Sequence, residues 1–117
     1  MRAAVRSFHS PDTDLAAYVP ADEHEVGLLV EILVGPADGA GEETFTVVVC
    51  TPTWLQRLVA EQGPVLGRHY VIVERFMWPS IEGFLTRRVE ACTGPDWRAV
   101  AEKLAHIGHW EFEDYEP

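Results

Sequence analysis

The sequence predicts an α+β fold with the element order β-β-β-α-β-α-α-β. We expect a single domain over residues 1–117, in which a mainly antiparallel sheet carries about three helices packed on one face. Two observations predict this arrangement. Apolar residues alternate with a period of two in the first half of the chain, and they recur at helical spacing between residues 78 and 108. No repeat, low-complexity tract or long linker divides the 117 residues, a length typical of one domain.

Three strands are predicted in the first half. Residues 2–9 form a short strand that ends at the "SPDTD" segment, because Pro and Asp interrupt strand patterns. Residues 25–35 form the strongest strand, since Val30 and Ile32 lie on one face while Leu29 and Leu33 lie on the other. The turn "GPADGAGEE" then leads into a hairpin partner over residues 44–50. With both faces partly apolar, the 25–35 strand is expected at the centre of the sheet.

Three helices and one further strand are predicted in the second half. The first helix begins with Thr51 as its N-cap and Pro52 in its first position, and it ends at Gly63. Its predicted buried stripe consists of four apolar residues, Trp54, Leu55, Leu58 and Val59. A strand follows over residues 68–76. Two helices over 79–92 and 93–108 come next, each with one apolar stripe.

The last nine residues, "HWEFEDYEP", interleave aromatic residues with carboxylates. This alternation predicts a final strand, because successive side chains in a strand point to opposite faces. Trp110 and Phe112 would then face the core, whereas Glu111, Glu113 and Tyr115 would face water.

Charge is unevenly distributed along the chain. The formal net charge is −10, and nine acidic residues but no Lys or Arg lie between Arg6 and Arg57. An acidic field repels phosphate backbones, so direct nucleic-acid binding through a basic surface is not expected. The same field attracts a basic partner and speeds its association. The alternative interpretation is that the charge keeps a small domain in solution.

No residue pattern predicts catalysis, a metal site or a cofactor. His106 and His109 have a spacing found in metal-binding helices, but Gly108 is expected to end the helix between them, so surface histidines are the better interpretation. The chain has no Gly-rich phosphate loop, nucleophile elbow or H-E-x-x-H motif. Cys50 and Cys92 lie in apolar runs and are expected to be free core thiols, as is usual in the cytoplasm. No segment approaches the length of a membrane span, so a cytoplasmic protein is expected.

Four segments together resemble the immunity protein 8 family of bacterial polymorphic toxin systems. They are "CTPTWL" (50–55), "GRHYVIVERF" (67–76), "WPSIEGFLTRRV" (78–89) and "DWRAVAEKLAHIGHWEFEDY" (96–115). The resemblance covers most of residues 25–115, and the last segment is its most specific part. It implies a small cytoplasmic bacterial inhibitor that neutralises a cognate toxin domain by stoichiometric binding, without turnover or cofactor.

The charge pattern places a hypothetical toxin-binding surface on the acidic residues. An acidic inhibitor suits a basic target such as a nuclease domain. The predicted surface combines the tail with one of the N-terminal acidic segments, and Tyr115 and Trp78 are its aromatic anchors. The candidate residues are Glu111, Glu113, Asp114, Tyr115, Glu116, Trp78, Asp22, Glu23, Glu42 and Glu43. We expect a monomer or weak dimer. Two alternatives stay open at this point: a small cytosolic enzyme or accessory subunit of unknown chemistry, and a self-assembling module.

Overall fold

The computed structural model of the chain describes residues 1–113. Five strands form one mixed sheet: β1 (Ala3–His9), β2 (Gly27–Pro36), β3 (Glu43–Cys50), β4 (Tyr70–Ile72) and β5 (His109–Trp110). Three helices pack on this sheet: α1 (Pro52–Gln62), α2 (Trp78–Glu90) and α3 (Trp97–Leu104). The predicted α+β class and the predicted element order are confirmed.

Strands β1, β2 and β3 form an antiparallel meander. Phe8 lies opposite Ile32 across the β1–β2 pair, and Leu28 lies opposite Val49 across the β2–β3 pair. A register shift between Val5 and Ser7 interrupts the β1–β2 pairing. Since β2 has a partner along both edges, it occupies the interior position predicted from its two apolar faces.

Two short strands share the outer edge of β3. The last three residues of β3 pair in parallel with Tyr70–Ile72 of β4. The earlier part of the same edge pairs antiparallel with β5, so that Phe45 lies opposite Trp110. The β3–β4 pair is parallel, whereas the other pairs are antiparallel as predicted. A parallel partner requires a crossover connection, and α1 supplies it.

The hydrophobic core lies between one face of the sheet and helices α2 and α3. Val30, Ile32 and Phe45 contribute from the sheet, and all three are almost fully buried. The helices contribute six buried residues, namely Ile81, Leu85, Val89, Val100, Ala101 and Leu104. Within residues 1–113, no helix is long and apolar enough to span a membrane.

Helix α1 packs on the other face of the sheet. Leu28 points into the core, so its strand neighbour Gly27 points to the opposite face of the sheet. The indole ring of Trp54 lies directly over Gly27 on that face, in the space that a Cβ would take. The expectation that all helices cover one face is therefore wrong for α1. The predicted buried stripe of α1 is also wrong, because no residue of this helix is buried and Val59 is 42% exposed.

Thr51 stands at the N-cap of α1 as predicted, but its side chain bonds elsewhere. The hydroxyl oxygen accepts from the backbone N–H of Val26 at 3.1 Å, and makes no capping bond to α1. The backbone N–H of Thr51 donates to the carbonyl oxygen of Val26 at 2.9 Å. Thr51, the residue after β3, is therefore linked to Val26, the residue before β2.

The two strands on the β3 edge are shorter than predicted. The 68–76 segment is a strand only over Tyr70–Ile72, because Phe76 turns into the core and its N–H donates to the carbonyl oxygen of Glu23 at 2.7 Å. Up to residue 113, the tail pairs as a strand over His109–Trp110 and then turns, with the N–H of Glu113 bonded to the carbonyl oxygen of Trp110 at 2.9 Å. Phe112 consequently is 43% exposed and does not seal the core.

The contact between Gly27 and Trp54 predicts a cost for any side chain at position 27. In Gly27→Ala the new methyl group collides with the indole, so we expect a loss of about 1 to 3 kcal/mol in the free energy of unfolding. Gly67→Ala is the matched control, because a Cβ there meets no atom within 4 Å. Urea unfolding followed by circular dichroism measures both. Equal stability of the two variants would contradict the packing of α1 described above.

Candidate functional site

Pairing of β5 with β3 brings the acidic tail to the start of β3. The N–H of Glu111 donates to the carbonyl oxygen of Thr44 at 3.1 Å, and the Glu111 carboxylate accepts from the N–H of Thr44 at 2.9 Å. Thr44 directly follows Glu42, the last residue of the β2–β3 hairpin loop, and Glu43, the first residue of β3. We call the group formed by Glu42, Glu43 and Glu111 the acidic end of the sheet.

The Glu43 carboxylate joins two tryptophans from distant parts of the chain. One oxygen accepts from the indole N–H of Trp97 at 2.7 Å, and the other accepts from the indole N–H of Trp110. Trp97 is the first residue of α3, whose N-terminus is capped by Asp96 through a 2.8 Å bond to the N–H of Ala99. Glu43 thus fixes α3 and β5 relative to the hairpin, and its carboxylate is only partly exposed.

A hollow of about 330 Å³ lies on the acidic end. It is lined by residues of the hairpin loop and by the indole of Trp97, namely Pro36, Ala40, Gly41, Glu42, Glu43 and Trp97. Gly41 has a φ of 97°, a conformation that favours glycine. Among the described residues, those lining the hollow include no Lys or Arg. Carboxylates beside an aromatic face form a suitable environment for the side chain of a partner's Lys or Arg.

The hairpin loop that forms the hollow is held from the side by Arg6. The Arg6 guanidinium donates to the carbonyl oxygens of Pro36 and Gly39, both at 2.7 Å. These two bonds direct the Arg6 guanidinium at backbone carbonyl oxygens of the loop and not at a carboxylate. The loop is therefore restrained without an ion pair that would neutralise Glu42, which is exposed and has no ion-pair partner within residues 1–113.

The Glu113 carboxylate is largely buried and is paired within the protein. Its carboxylate pairs with the Arg68 guanidinium and lies 2.8 Å from Nδ1 of His109, and the side chain is 15% exposed. Burial acts to raise the pKa of the Glu113 carboxyl, but Arg68 and His109 outweigh it and hold that pKa below its usual value. The prediction that Glu113 faces water on a strand is wrong, since the strand ends at Trp110.

The other candidate residues lie apart from the acidic end. Trp78 is the first residue of α2 and packs edge-on against Phe8, with ring centroids 5.2 Å apart. Asp22 caps the local turn by accepting from the N–H of His24 at 2.9 Å, and Glu23 pairs with Arg75 at 3.4 Å. Both acids precede β2, at the end of the sheet opposite the hairpin. Asp114, Tyr115 and Glu116 lie outside the described residues.

An apolar groove that was not predicted from the sequence lies beside β4. It is lined by the edge of β4 and by Phe84 and Arg88 of α2, with a volume of about 340 Å³. Of the residues that line it, Ile72 is 57% exposed and Phe84 is 46% exposed. Such exposure is typical of protein contact surfaces. No local signal marks the groove in the sequence, because Ile72 and Phe84 belong to strand and helix patterns that also predict burial.

The two cysteines lie in environments that disfavour thiol reactivity. Cys50 and Cys92 are free, and burial raises the pKa of both thiols, which disfavours the reactive thiolate. Cys50 is buried as predicted, whereas Cys92 is only partly buried. Within residues 1–113, no group of three or more His, Cys, Asp or Glu side chains could hold a metal ion.

The role of Glu43 can be separated from that of its neighbour Glu42. Glu43→Ala leaves two indole N–H groups without their acceptor, so we expect a loss of about 2 to 4 kcal/mol in the free energy of unfolding. Glu42→Ala is the matched control and should change it by less than about 0.5 kcal/mol, because Glu42 is exposed. Urea unfolding followed by circular dichroism compares the two. Similar stabilities would show that Glu43 does not hold the tryptophans in place.

The lowered pKa of Glu113 predicts a pH-dependent contribution to stability. A depressed folded-state pKa means that the ion pairs stabilise the fold above the unfolded-state pKa of about 4.3, and that this stabilisation is lost as the pH falls through the folded-state pKa. The stability difference between the wild type and Glu113→Gln should therefore be largest near pH 7 and shrink in acid. Chemical unfolding between pH 7 and pH 3 measures this difference.

Glu102→Gln provides the matched control for that measurement. Glu102 pairs with Arg98 at 3.3 Å on the surface of α3, where both side chains are largely exposed. An exposed pair contributes little, so the stability of Glu102→Gln should follow that of the wild type at every pH. A difference between wild type and Glu113→Gln that does not change with pH would contradict the assignment of the ion pairs.

Comparison with known proteins identifies a family. No curated protein and no solved structure matches the chain. The sequence does match the model of the family described as Immunity protein 8 over residues 3–115, nearly the whole chain. The resemblance noted in four segments is thereby confirmed, and it extends over the first strand as well. Proteins of this kind are generally non-enzymatic and bind a cognate toxin protein. The chain therefore belongs to the immunity protein 8 family, and its function is immunity against a toxin.

Proposed function

We propose that this chain acts in the cytoplasm as a single domain that binds its cognate toxin domain one-to-one, as a monomer or weak dimer. The acidic end of the sheet is the surface that contacts the toxin, and a basic region of the toxin, such as the phosphate-binding groove of a nuclease domain, is the target. Neutralisation then consists of covering that region, without turnover and without a cofactor.

One observation carries the proposal. Glu42 and Glu43 line a hollow with an aromatic wall, and among the described residues that line this hollow there is no Lys or Arg. Glu111 lies near them through its two hydrogen bonds with Thr44. The positions of these groups are fixed by backbone pairing and by the two indole bonds of Glu43. A fixed array of like charges is stable only if it is exposed to water or meets the opposite charge of a partner. Such an array steers a basic partner during encounter.

Two of the three carboxylates are available to a partner. Glu42 and Glu111 are both exposed, whereas Glu43 is occupied by the tryptophans. Glu42 and Glu111 are therefore expected to influence the association rate, as charges at the rim of an interface do. Trp97, which lines the hollow, supplies the apolar contact that carries more of the binding energy.

The surface assignment is tested by neutralising the two available carboxylates. Glu42→Gln combined with Glu111→Gln removes two charges and retains oxygen atoms that can accept hydrogen bonds. At about 0.5 kcal/mol for each exposed charge, the affinity for the toxin domain should fall about fivefold, mainly through slower association. The dependence of the rate on salt concentration should also become shallower. Surface plasmon resonance against the toxin domain encoded beside this chain's gene measures both.

A second pair of substitutions provides the control. Glu61→Gln combined with Glu82→Gln removes the same number of charges from the exposed surfaces of α1 and α2. This variant should bind the toxin domain as the wild type does. If both double variants lose affinity equally, the net charge of the chain matters and the acidic end is not the contact surface. If neither loses affinity, the toxin binds another surface.

A further inference from the structure

Two histidine rings lie side by side on the β3 edge, where β4 and β5 meet. His69 directly precedes β4, and His109 is the first residue of β5. Their ring centroids are 5.8 Å apart and their planes are inclined by 60°. The sequence analysis considered His106 and His109 as a pair, but His106 lies instead beside the groove next to β4. The pairing of two distant segments along one edge creates a different pair.

Each ring uses one nitrogen to contact an oxygen of the protein. Nε2 of His69 lies 2.8 Å from the carbonyl oxygen of Ala105, and Nδ1 of His109 lies 2.8 Å from a carboxylate oxygen of Glu113. The carbonyl oxygen of Ala105 only accepts hydrogen bonds, so Nε2 of His69 carries a proton, and the negative charge of Glu113 favours the proton of His109 on the nearby Nδ1. In the neutral rings the other nitrogens, Nδ1 of His69 and Nε2 of His109, retain free lone pairs. Histidines that bind metal ions show this pattern, in which the far ring nitrogen donates to a carbonyl or a carboxylate.

The separation of the rings also fits a shared ion. Nitrogen lies about 2.0 to 2.1 Å from zinc, and the centre of the ring is about 1 Å behind the nitrogen, so two imidazoles on one ion have centres roughly 5 to 6 Å apart. The observed 5.8 Å lies within this range. The local charges permit a cation, because the positive charge of Arg68 is balanced by its ion pair with Glu113.

The backbone at His69 supplies an independent observation. His69 has a φ of 66° and is the one residue other than glycine with a positive φ among residues 1–113. Its carbonyl oxygen accepts from the N–H of Val48 at 3.0 Å, so pairing with β3 maintains this conformation. Residues held in such conformations are concentrated at binding and catalytic sites.

We propose that His69 and His109 form a two-histidine site for a divalent transition metal ion such as Zn²⁺ or Ni²⁺. Neutral imidazole is a suitable ligand for these ions. Within residues 1–113 no third His, Cys, Asp or Glu completes the site, so water occupies the remaining positions. A bound ion joins the segment before β4 to β5 and thereby fixes the strand that Glu111 directly follows. This proposal departs from the prediction, made from the sequence, that the chain has no metal site. It does not depend on the proposed toxin contact.

Isothermal titration with NiCl₂ and ZnCl₂, on untagged protein in a buffer that does not bind metals, tests the proposal. The wild type should bind one ion per chain, and His109→Gln should bind at least about tenfold more weakly, since even the loss of a group that only orients a ligand costs that much. His69→Asn should lose affinity similarly, and asparagine tolerates the positive φ at this position. Circular dichroism without metal establishes that each variant is folded.

Two controls separate this site from an ordinary surface histidine. His9→Gln removes a ring that lies 2.8 Å from the carboxylate of Glu31, which is the same kind of pair that His109 makes with Glu113. His106→Gln removes a histidine that directly follows Ala105, the residue whose carbonyl oxygen contacts His69, but that is not a proposed ligand. Both variants should retain the affinity of the wild type. Absence of binding to the wild type, or equal affinity in His109→Gln, His69→Asn and His9→Gln, would overturn the proposal.

Nuclear magnetic resonance of the wild type gives a second measurement that needs no substitution. Added Ni²⁺ broadens the signals of nuclei close to the ion, so the ring signals of His69 and His109 should disappear at substoichiometric metal while those of His9 and His24 persist. Uniform broadening of all histidine signals would mean weak binding at many surface positions, and it would also overturn the proposal.

Discussion

The outer edge of β3 is the constraint on which the rest of the structure depends. Its backbone groups pair with two segments that are far apart in the sequence, β4 near the middle of the chain and β5 near its end. The parallel pairing with β4 requires the crossover through α1, which therefore covers the face of the sheet opposite the core. The antiparallel pairing with β5 brings Glu111 to the hairpin and His109 to His69. Both the acidic end and the histidine pair thus result from one shared edge.

The acidic end combines a structural carboxylate with two exposed ones. Glu43 accepts from two indoles, and a partly buried carboxylate is stable only with such partners. Glu42 and Glu111 remain exposed beside it. Glu42 precedes Glu43 in the chain, and Glu111 is hydrogen-bonded to Thr44, the residue after Glu43. The fold therefore keeps several negative charges in fixed positions at one end of the sheet. A fixed array loses little conformational entropy when a partner binds, which is favourable for a protein of a family that binds a cognate toxin.

Local patterns predicted the elements but not the contacts between them. The alternation in β2 and β3 and the apolar stripes of α2 and α3 were sufficient to predict the core, because burial determines those patterns directly. The acceptor of the Trp97 and Trp110 indoles could not be predicted, since Glu43 is 54 and 67 residues away from them. The packing of Trp54 on Gly27 depends on the crossover, which no local pattern reveals. Glu113 was assigned to a water-facing strand because alternation alone cannot show where pairing ends.

Hydrogen–deuterium exchange of this chain, with and without its toxin domain, tests the account most directly. Beside the acidic end, exchangeable backbone amides lie in the hairpin loop over residues 37–42, at the start of α3 and in the turn over residues 111–113. The account predicts that toxin binding slows exchange in these three segments and leaves the segment of residues 70–84 beside the groove unchanged. Slower exchange confined to residues 70–84, with no change at the acidic end, would contradict it.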